Sequence, residues 1–525
     1  MDTKALRQKI LDLAIRGKLV PQNPNDEPAS VLLERIRAEK QQMVKDGKLK
    51  AKEIKNDTVI FLGDDNLHYE KFPDGTVKCI EDEIPFELPE GWEWTRLQAI
   101  CEPITDGTHK TPTYSDEGFI FLSSKNVTSG HIDWDNIMYI PESLHNELYA
   151  RLAPQKNDIL LAKNGTTGVA AIVDRDCIFD IYVSLALLRI IGYIISPEYL
   201  LSTIASSTIQ NYFNSSLKGI GVPNLHLEHI RTTLIPVAPI NEQYRIATKL
   251  EQLLSFADNI ESDKTDLQTT MQLTKSKILD LAIRGKLVKQ NPDDEPASVL
   301  LDRIRAEKEE LIKQGKIKRD KKESVIFRGE DNSYYLRMGN LIETLDDWRI
   351  NDIPYSWGIC CLGEVCDYGN CTNVDTKDIP KTAWILDLED IEKDTGKVSQ
   401  KLTLKERNSA STKHSFHKGQ VLYSKLRPYL NKVVLVDDDG YCTSEILPLD
   451  FNKYILPEYA KYYLMSPTFL RYANHCSYGV KMPRLGTLDG RKAVLIVPPV
   501  NEQKRIADKV SQLFSLLDSI ADNVN

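Results

Sequence analysis

Apolar residues between positions 241 and 281 recur at alternating steps of four and three: Ile246, Leu250, Leu253, Ala257, Ile260, Leu267, Met271, Ile278 and Leu281, with Lys264 and Thr274 filling the remaining stripe positions. That spacing keeps one face of a helix apolar and predicts a long helix with a coiled-coil seam. Pro239, Asn241 and Glu242 mark its start, and Gly285 its stop. The same stripe occurs again in two pieces, Ile506, Val510, Leu513, Leu517 and Ile520 near one end of the chain and Leu6, Ile10 and Leu13 near the other, with Gly17 as the matching stop. After each glycine a polar turn leads to a second helix, opened at Pro28 or Pro296 and ended near Gly47 or Gly315.

The periodicity is duplicated because the sequence is. KILDLAIRGKLV stands at 9–20 and again at 277–288, the stretch 18–50 returns at 286–318, VIFLGDDNLHYE (59–70) returns as VIFRGEDNSYYL (325–336), and 239–260 returns at 499–520. The displacement is about 260 to 268 residues throughout, so one unit is used twice. In the middle of the chain the two repeated pieces are joined; at the ends they are split. This is the pattern of a pseudo-twofold ring opened once, and it predicts an antiparallel pair of long helices with the two termini close together. A helix of about 40 residues spans roughly 60 Å, more than one duplex turn.

Between the repeats lie two segments that share a plan more than a sequence. Each opens with a proline turn and a tryptophan (Trp92, Trp357) and carries two strands around a polar loop, NDILLAKNGTTGVAAIVD (157–174) and GQVLYSKLRPYLNKVVLVD (419–437). A helical piece, a Gly-containing loop (KGIGVPNL from Lys218, YGVKMPRL from Tyr478) and a last strand follow. The expected class is mixed α/β, of the α+β kind. Expected boundaries are a helical region at 1–58, a hairpin or linker at 59–91, a first head at 92–238, a central helical region at 239–322, a second hairpin or linker at 323–356, a second head at 357–498 and a closing helix at 499–525.

Composition refines this picture little. The chain has 525 residues, 41% hydrophobic and 27% charged, as ordinary globular proteins do. No apolar run reaches a membrane span and the first residues lack the apolar stretch of a signal peptide, so the expectation is a cytoplasmic protein away from the membrane. The cluster Cys360, Cys361, Cys366 and Cys371 lacks paired metal-ligand spacing and reads as reduced thiols buried in strands. A net charge of −9 argues against a protein that coats DNA, but not against one that reads it with locally gathered cations.

LPEGWEW before the first head, the P-x-N-E-Q-x-R-I-A segment after each head, SKLRPYLNK in the second head and the central repeat together resemble the specificity (S) subunit of type I restriction-modification enzymes. The resemblance covers nearly the whole chain. It implies two target-recognition domains, each reading one half of a bipartite, asymmetric site in double-stranded DNA, with the helices setting the spacer. It also implies docking of two methyltransferase (M) subunits, with restriction (R) subunits joining through them.

Base edges are read by Arg, Lys, Asn, Gln and hydroxyls, and phosphates are held by cations and backbone N–H groups of Gly-rich loops. In the first head these types gather at Lys163, Asn164, Thr166 and Thr167, at Ser124, Lys125 and Asn126, and at Lys218 and Asn224. In the second they gather at Lys425, Arg427, Tyr429, Asn431 and Lys432, and at Tyr478, Lys481 and Arg484. The sequence has no phosphate-loop motif for ATP, no Gly-rich fingerprint for adenosylmethionine, no Asn/Asp-Pro-Pro-aromatic motif and no H-x-x-x-H spacing. Catalysis, with its S-adenosylmethionine, ATP and Mg, is therefore expected on partner subunits, and no cofactor in this chain. The rival reading is a coiled-coil scaffold whose two heads grip polypeptides.

Overall fold

The computed structural model describes residues 2–524 except 129, 218–222, 318–323, 332, 346–352, 408 and 452. The expected meeting of Met1 with Asn525 falls on two positions outside the described residues. The chain divides into two compact units, Met1–Asp263 and Lys264–Asn525.

The central helix runs Ile240–Ile283, 44 residues without interruption, and contributes to both units. In the first unit its Ile246 and Leu250 share a core with Ile10, Leu11 and Ala14 of the opening helix, Thr3–Ile15. Arg7 pairs there with Asp258, and the Thr3 hydroxyl donates to Glu261. In the second unit Ile278, Leu279, Ala282 and Ile283 share a core with Ile506, Ala507, Val510 and Phe514 of the closing helix, Val500–Val524. Lys275, the repeat equivalent of Arg7, meets Asp518, the equivalent of Asp258, at 2.5 Å. The stripe read from sequence drifts at its end: Leu13 and Leu281 are only half-buried, while Leu11, Ala14 and Ile15, with Leu279, Ala282 and Ile283, turn fully inward. A straight helix drifts by about 20° per heptad from a 3.5-residue repeat, and these last turns face the core of a head.

Gly17 and Gly285 stop the helices with φ of +63° and +67°. Neither could carry a side chain, because a Cβ would lie 2.4 Å from Pro89 Cγ at the first and 2.3 Å from Pro354 Cγ at the second. The second helices, Ala29–Lys45 and Ala297–Lys313, begin directly after Pro28 and Pro296. A three-stranded antiparallel sheet follows each, Val59–Leu62, His68–Lys71 and Val77–Cys79 in the first unit and Ser324–Arg328, Tyr334–Met338 and Leu341–Thr344 in the second.

Each head is closed at its base by a two-stranded ribbon made from its own first and last strands. Glu93–Arg96 pairs antiparallel with Leu234–Val237, and Gly358–Cys361 with Val494–Val497. Cys360 and Cys361 lie buried in the second ribbon and Cys366 is buried beyond it, where loss of solvent pushes all three thiols up. The heart of the first head is Ile159–Ala162, flanked by Leu185–Leu188 and Ala170–Ile172. Val421–Ser424 is flanked in the same way by Ile446–Leu449 and Val433–Leu435. These middle strands are buried along their whole length, which explains the unbroken apolar run ILLA of the first; the second, VLYS, ends on a buried Ser424 whose hydroxyl donates to Leu426 O. Residues 402–416, with the strands Leu402–Thr403 and Lys413–Phe416, extend a five-stranded sheet in the second head. Among the described residues no helix is long and apolar enough to cross a membrane.

Candidate nucleic-acid interface

The polar loops sit where the middle strand of each head ends. In the first head Lys163 donates its backbone N–H to Ser184 O at 2.8 Å and accepts from Leu225 N at 2.9 Å, and Asn164 and Asn224 form an isolated bridge. Ser184 Oγ in turn accepts from the backbone N–H of Ser124 at 3.0 Å. Three clusters that are distant in sequence, around Ser124, Lys163 and Asn224, therefore meet. In the second head Lys425 N–H donates to Glu445 O at 3.0 Å and Lys425 O accepts from Leu485 N at 3.0 Å, so the same junction recurs with different side chains.

Not every side chain expected to read DNA is free to do so. Lys163 is 6% exposed and its Nζ lies 2.5 Å from the Asp106 carboxylate, itself buried; the expectation of an open cation there is corrected to an internal ion pair. Asn126 is corrected likewise: its Oδ1 accepts from Ser123 N at 3.0 Å and its Nδ2 donates to Asp133 O and Asn136 O, clamping the loop from within. Thr167 Oγ1 donates to Lys163 O at 3.3 Å. In contrast, Lys125 is exposed, and Asn164 Oδ1, Thr166 Oγ1 and Asn224 Oδ1 are buried without a hydrogen-bond partner among the described residues. Such orphaned acceptors at the end of a strand are what a polar ligand would satisfy. Lys218 lies outside the described residues.

The second head divides the same way. Asn431 is buried and donates to Met465 O at 3.1 Å. Lys432 donates to Leu388 O at 2.6 Å, its ammonium pushed below the usual lysine range by burial. Arg484 grips Glu445 through Nη2 at 2.8 Å and Nε at 3.1 Å and holds that carboxyl below its ordinary range. All three were expected as readers; Lys432 and Arg484 make these contacts within the head, and Asn431 keeps its Oδ1 buried without a hydrogen-bond partner among the described residues. Tyr429 (48% exposed), Tyr478 (63%) and Lys481 remain outward-facing, with Lys425 and Arg427 half-buried beside them. The expectation missed Asp106, Ser184 and Glu445, which organise the loops, and the outward Val480 and Met482. Asp106 is followed by Gly107, where a Cβ would lie 1.9 Å from Ile181 O, so the chain must pass there as glycine.

A second polar constellation lies at the base of each head. Trp92 Nε1 donates to Glu242 Oε2 at 3.1 Å, Gln22 donates to Glu242 Oε1 at 3.4 Å and to Gly17 O at 2.6 Å, and Arg245 pairs with Asp26 at 2.7 Å. Gln243 accepts from Ser196 N at 2.9 Å and donates to Ala238 O at 2.7 Å. In the second unit Trp357, Glu502, Gln290, Arg505, Asp294 and Gln503 repeat these bonds. The N-E-Q-x-R motif is thus the joint between helix and head. Burial raises the Glu242 carboxyl above its ordinary range, against the lowering pull of Trp92 and Gln22.

A family model described as type I restriction modification DNA specificity domain matches residues 89–268 and 354–524. The EcoAI specificity subunit of Escherichia coli is 31% identical across 70% of this chain, an alignment that spans 63% of that protein. The EcoEI specificity subunit of Escherichia coli is 25% identical across 98% of this chain and 90% of that protein. A chain from a solved structure on complex assembly and conformational transition of the type I R-M system superposes with a TM-score of 0.51 at 18% identity, covering 84% of this chain and 94% of that one, a likeness of fold.

Proposed function

From the premise that this chain belongs to the family of type I restriction modification DNA specificity domains, we propose that it is the sequence-reading, non-catalytic subunit of a type I restriction-modification complex. One observation carries the reading furthest. Two heads share one frame and one joint to the helices, yet the loops at the ends of their middle strands differ in chemistry, Asn and Thr in the first and Lys, Arg and Tyr in the second. A retained scaffold with exchanged loops is how two different targets are read by one architecture.

In this reading each head takes one half of an asymmetric, bipartite site. The helices pair antiparallel as a coiled coil in a pseudo-twofold arrangement and act as the ruler between the heads. Forty-four helical residues correspond to about 66 Å, nearly two duplex turns. Two methyltransferase subunits dock on the chain and restriction subunits join through them, bringing S-adenosylmethionine, ATP and Mg. The ribbon at the base of each head supports the decisive experiment, because a head leaves the helices and returns to them at one place. Replacing residues 92–238 by another head should change one half of the motif methylated in the host and leave the other half and the spacer alone. Methylation-sensitive sequencing reads the result, and a change in both halves or in neither refutes the proposal.

A further inference from the structure

In the second head the loop after the helix Pro467–His475 ends in a hairpin with an apolar tip. Tyr478 and Arg484 close its foot with a pair of backbone bonds, Tyr478 N–H donating to Arg484 O at 3.1 Å and Arg484 N–H to Tyr478 O at 3.0 Å. The foot is held again from the neighbouring loop: Pro483 O accepts from Arg427 N–H at 2.7 Å, and Leu485 N–H donates to Lys425 O at 3.0 Å. Arg484 grips Glu445 and also donates through Nη1 to Met482 O at 3.1 Å. Gly479 makes the turn with φ of +100°, a conformation that glycine adopts freely and a side chain does not. Residues 479–483 are thus carried on a fixed foot.

What this foot presents is Val480, fully exposed, with Met482 exposed two residues on and Lys481 outward between them. Neither apolar side chain belongs to the core of the head, so neither is placed there to hold the head together. Single apolar residues on a surface are ordinary; a branched one raised at the apex of a doubly anchored hairpin, beside the strand-end loop at Lys425, asks for a partner. The first head repeats the arrangement in its letters. Leu225 and Leu485 donate to the equivalent lysine carbonyls and fix the alignment, so Ile220, Val222 and Pro223 stand where Val480, Met482 and Pro483 stand, although 218–222 lie outside the described residues.

A feature kept in both heads while the polar loops around it change has the distribution of a sequence-independent task. An aliphatic or thioether side chain cannot hold a phosphate, but it can enter a base step: apolar wedges slide between neighbouring base pairs, unstack them in part and kink the duplex. Such a wedge has to be stiff, so that it opens the step instead of folding back, and it gains from a cation beside it to take the flanking phosphate. The hydrogen-bonded foot supplies the stiffness and Lys481 the cation. We propose that Val480, backed by Met482, is a wedge that enters one base step of the second half-site and kinks the duplex there. The inference rests on the DNA-reading function proposed above and adds to it a deformation of the DNA, made by residues that read no base.

The test uses the chain co-expressed with its methyltransferase partners and bound to duplexes that carry the methylated motif. If that complex does not prefer the motif to unrelated duplex, the DNA-reading function itself fails, independently of the wedge. Given specific binding, energy transfer between dyes at the duplex ends reads the bend, and permanganate for pyrimidines with diethyl pyrocarbonate for purines reads unstacked bases. Exchange of residues 357–498 assigns the half-site of the second head. The expected result is a bent duplex with one reactive step in that half-site, away from the methylated base pair. Val480→Ser combined with Met482→Ser should lose that reactivity and most of the bend at this step and bind about 10- to 100-fold more weakly, with the methylated motif unchanged. A mismatch placed at the step lowers the cost of opening it and should restore much of the lost affinity. A second half-site that stays stacked in the specifically bound wild-type complex overturns the proposal, as does a double variant that opens the step as wild type does. A motif that relaxes at one thymine with the bend intact also overturns it and marks a contact to the thymine methyl group instead. A folded double variant that no longer joins the methyltransferase subunits overturns it in favour of a tip that faces protein. Because the chemical footprint of the wild-type complex needs no variant, the proposal can be refuted even where the double variant fails to fold.

Discussion

Trp92 donates its indole N–H to Glu242 at 3.1 Å, joining the first residue of a head to the start of the helix that follows it. Trp357 and Glu502 repeat the bond at 3.0 Å. The repeated motifs of the sequence are explained by this joint. Loops at the far ends of the strands diverge, while the Trp, Glu, Gln, Arg and Asp side chains that seat a head on the helices are held in both copies.

Replacing Trp92 by Phe removes the donor and leaves the Glu242 carboxylate buried with only a long bond from Gln22. A loss of about 1 to 3 kcal/mol is expected, read by urea unfolding of the whole chain. Because Arg245 and Asp26 are untouched, the helix start should survive.

The same joint has a pH signature. Burial holds the Glu242 carboxyl above its ordinary value, so the folded state binds its proton more tightly than the unfolded state does. The stability that this group contributes is therefore fully present below the ordinary carboxylate range and declines as pH rises through the elevated folded value. Glu242→Gln abolishes that slope, and the amide also presents a donor where both Trp92 and Gln22 need acceptors. The variant should be less stable than wild type throughout, with a larger deficit at pH 5 than at pH 7 in paired unfolding curves. A deficit independent of pH would mean that Glu242 does not titrate in this window.

Lys163 and Asp106 offer a contrast between tertiary structure and composition. Removing Lys163 leaves the buried Asp106 with only His109 Nε2 at 3.2 Å, and removing Asp106 leaves a buried ammonium, so Lys163→Ala or Asp106→Ala should destabilise the first head by about 3 kcal/mol. The double replacement Lys163→Met with Asp106→Leu should recover most of that loss and still support DNA binding in the assembled complex. Binding abolished in a stably folded double variant would instead return Lys163 to the interface.

Much of the fold was legible because it is written in local, periodic signals. Gly17, Gly285, Pro28 and Pro296 punctuate the helices as their backbone chemistry requires, and duplication revealed the two heads. The correspondence of the Lys163 loop with the Lys425 loop was legible from their matching order in the heads; that each meets the loop at Asn224 or at Arg484 was not. What each side chain does there was not. Lys163 is paired with a carboxylate 57 residues away, Arg484 with one 39 away, and the Asn431 amide donates to a carbonyl 34 away. A local list of DNA-competent residue types cannot separate a free cation from one already paired, and nothing in the letters SKLRPYLNK announces a left-handed arginine.

Lys425 and Lys481 flank Arg427 and Tyr478 without an ion pair of their own among the described residues, and a lysine ammonium is suited to phosphate rather than to a base edge. Lys425→Ala and Lys481→Ala should each weaken binding evenly across sequences and reduce the slope of log affinity against log salt by about 0.9 for each phosphate no longer neutralised. The methylated motif should not change. A motif that relaxes at one base on either substitution would make that lysine a reader.

The proposed ruler makes the most exposed prediction. A heptad preserves the apolar face of a helix, so seven residues inserted after Asp263, with seven more after Ile520 to lengthen the split copy, should leave both seams in phase. Each insertion adds about 10 Å of helix, which corresponds to roughly three base pairs at 3.4 Å each. The two half-sites should keep their bases while the spacer between them grows by about that number, as methylation mapping of the host genome would reveal. Inserting four residues in place of seven rotates the following turns and should abolish methylation instead of shifting it. If the heptad variant methylates the original motif with its spacer unchanged, the distance between half-sites is set elsewhere, and the long helices serve only as docking surfaces for the partner subunits.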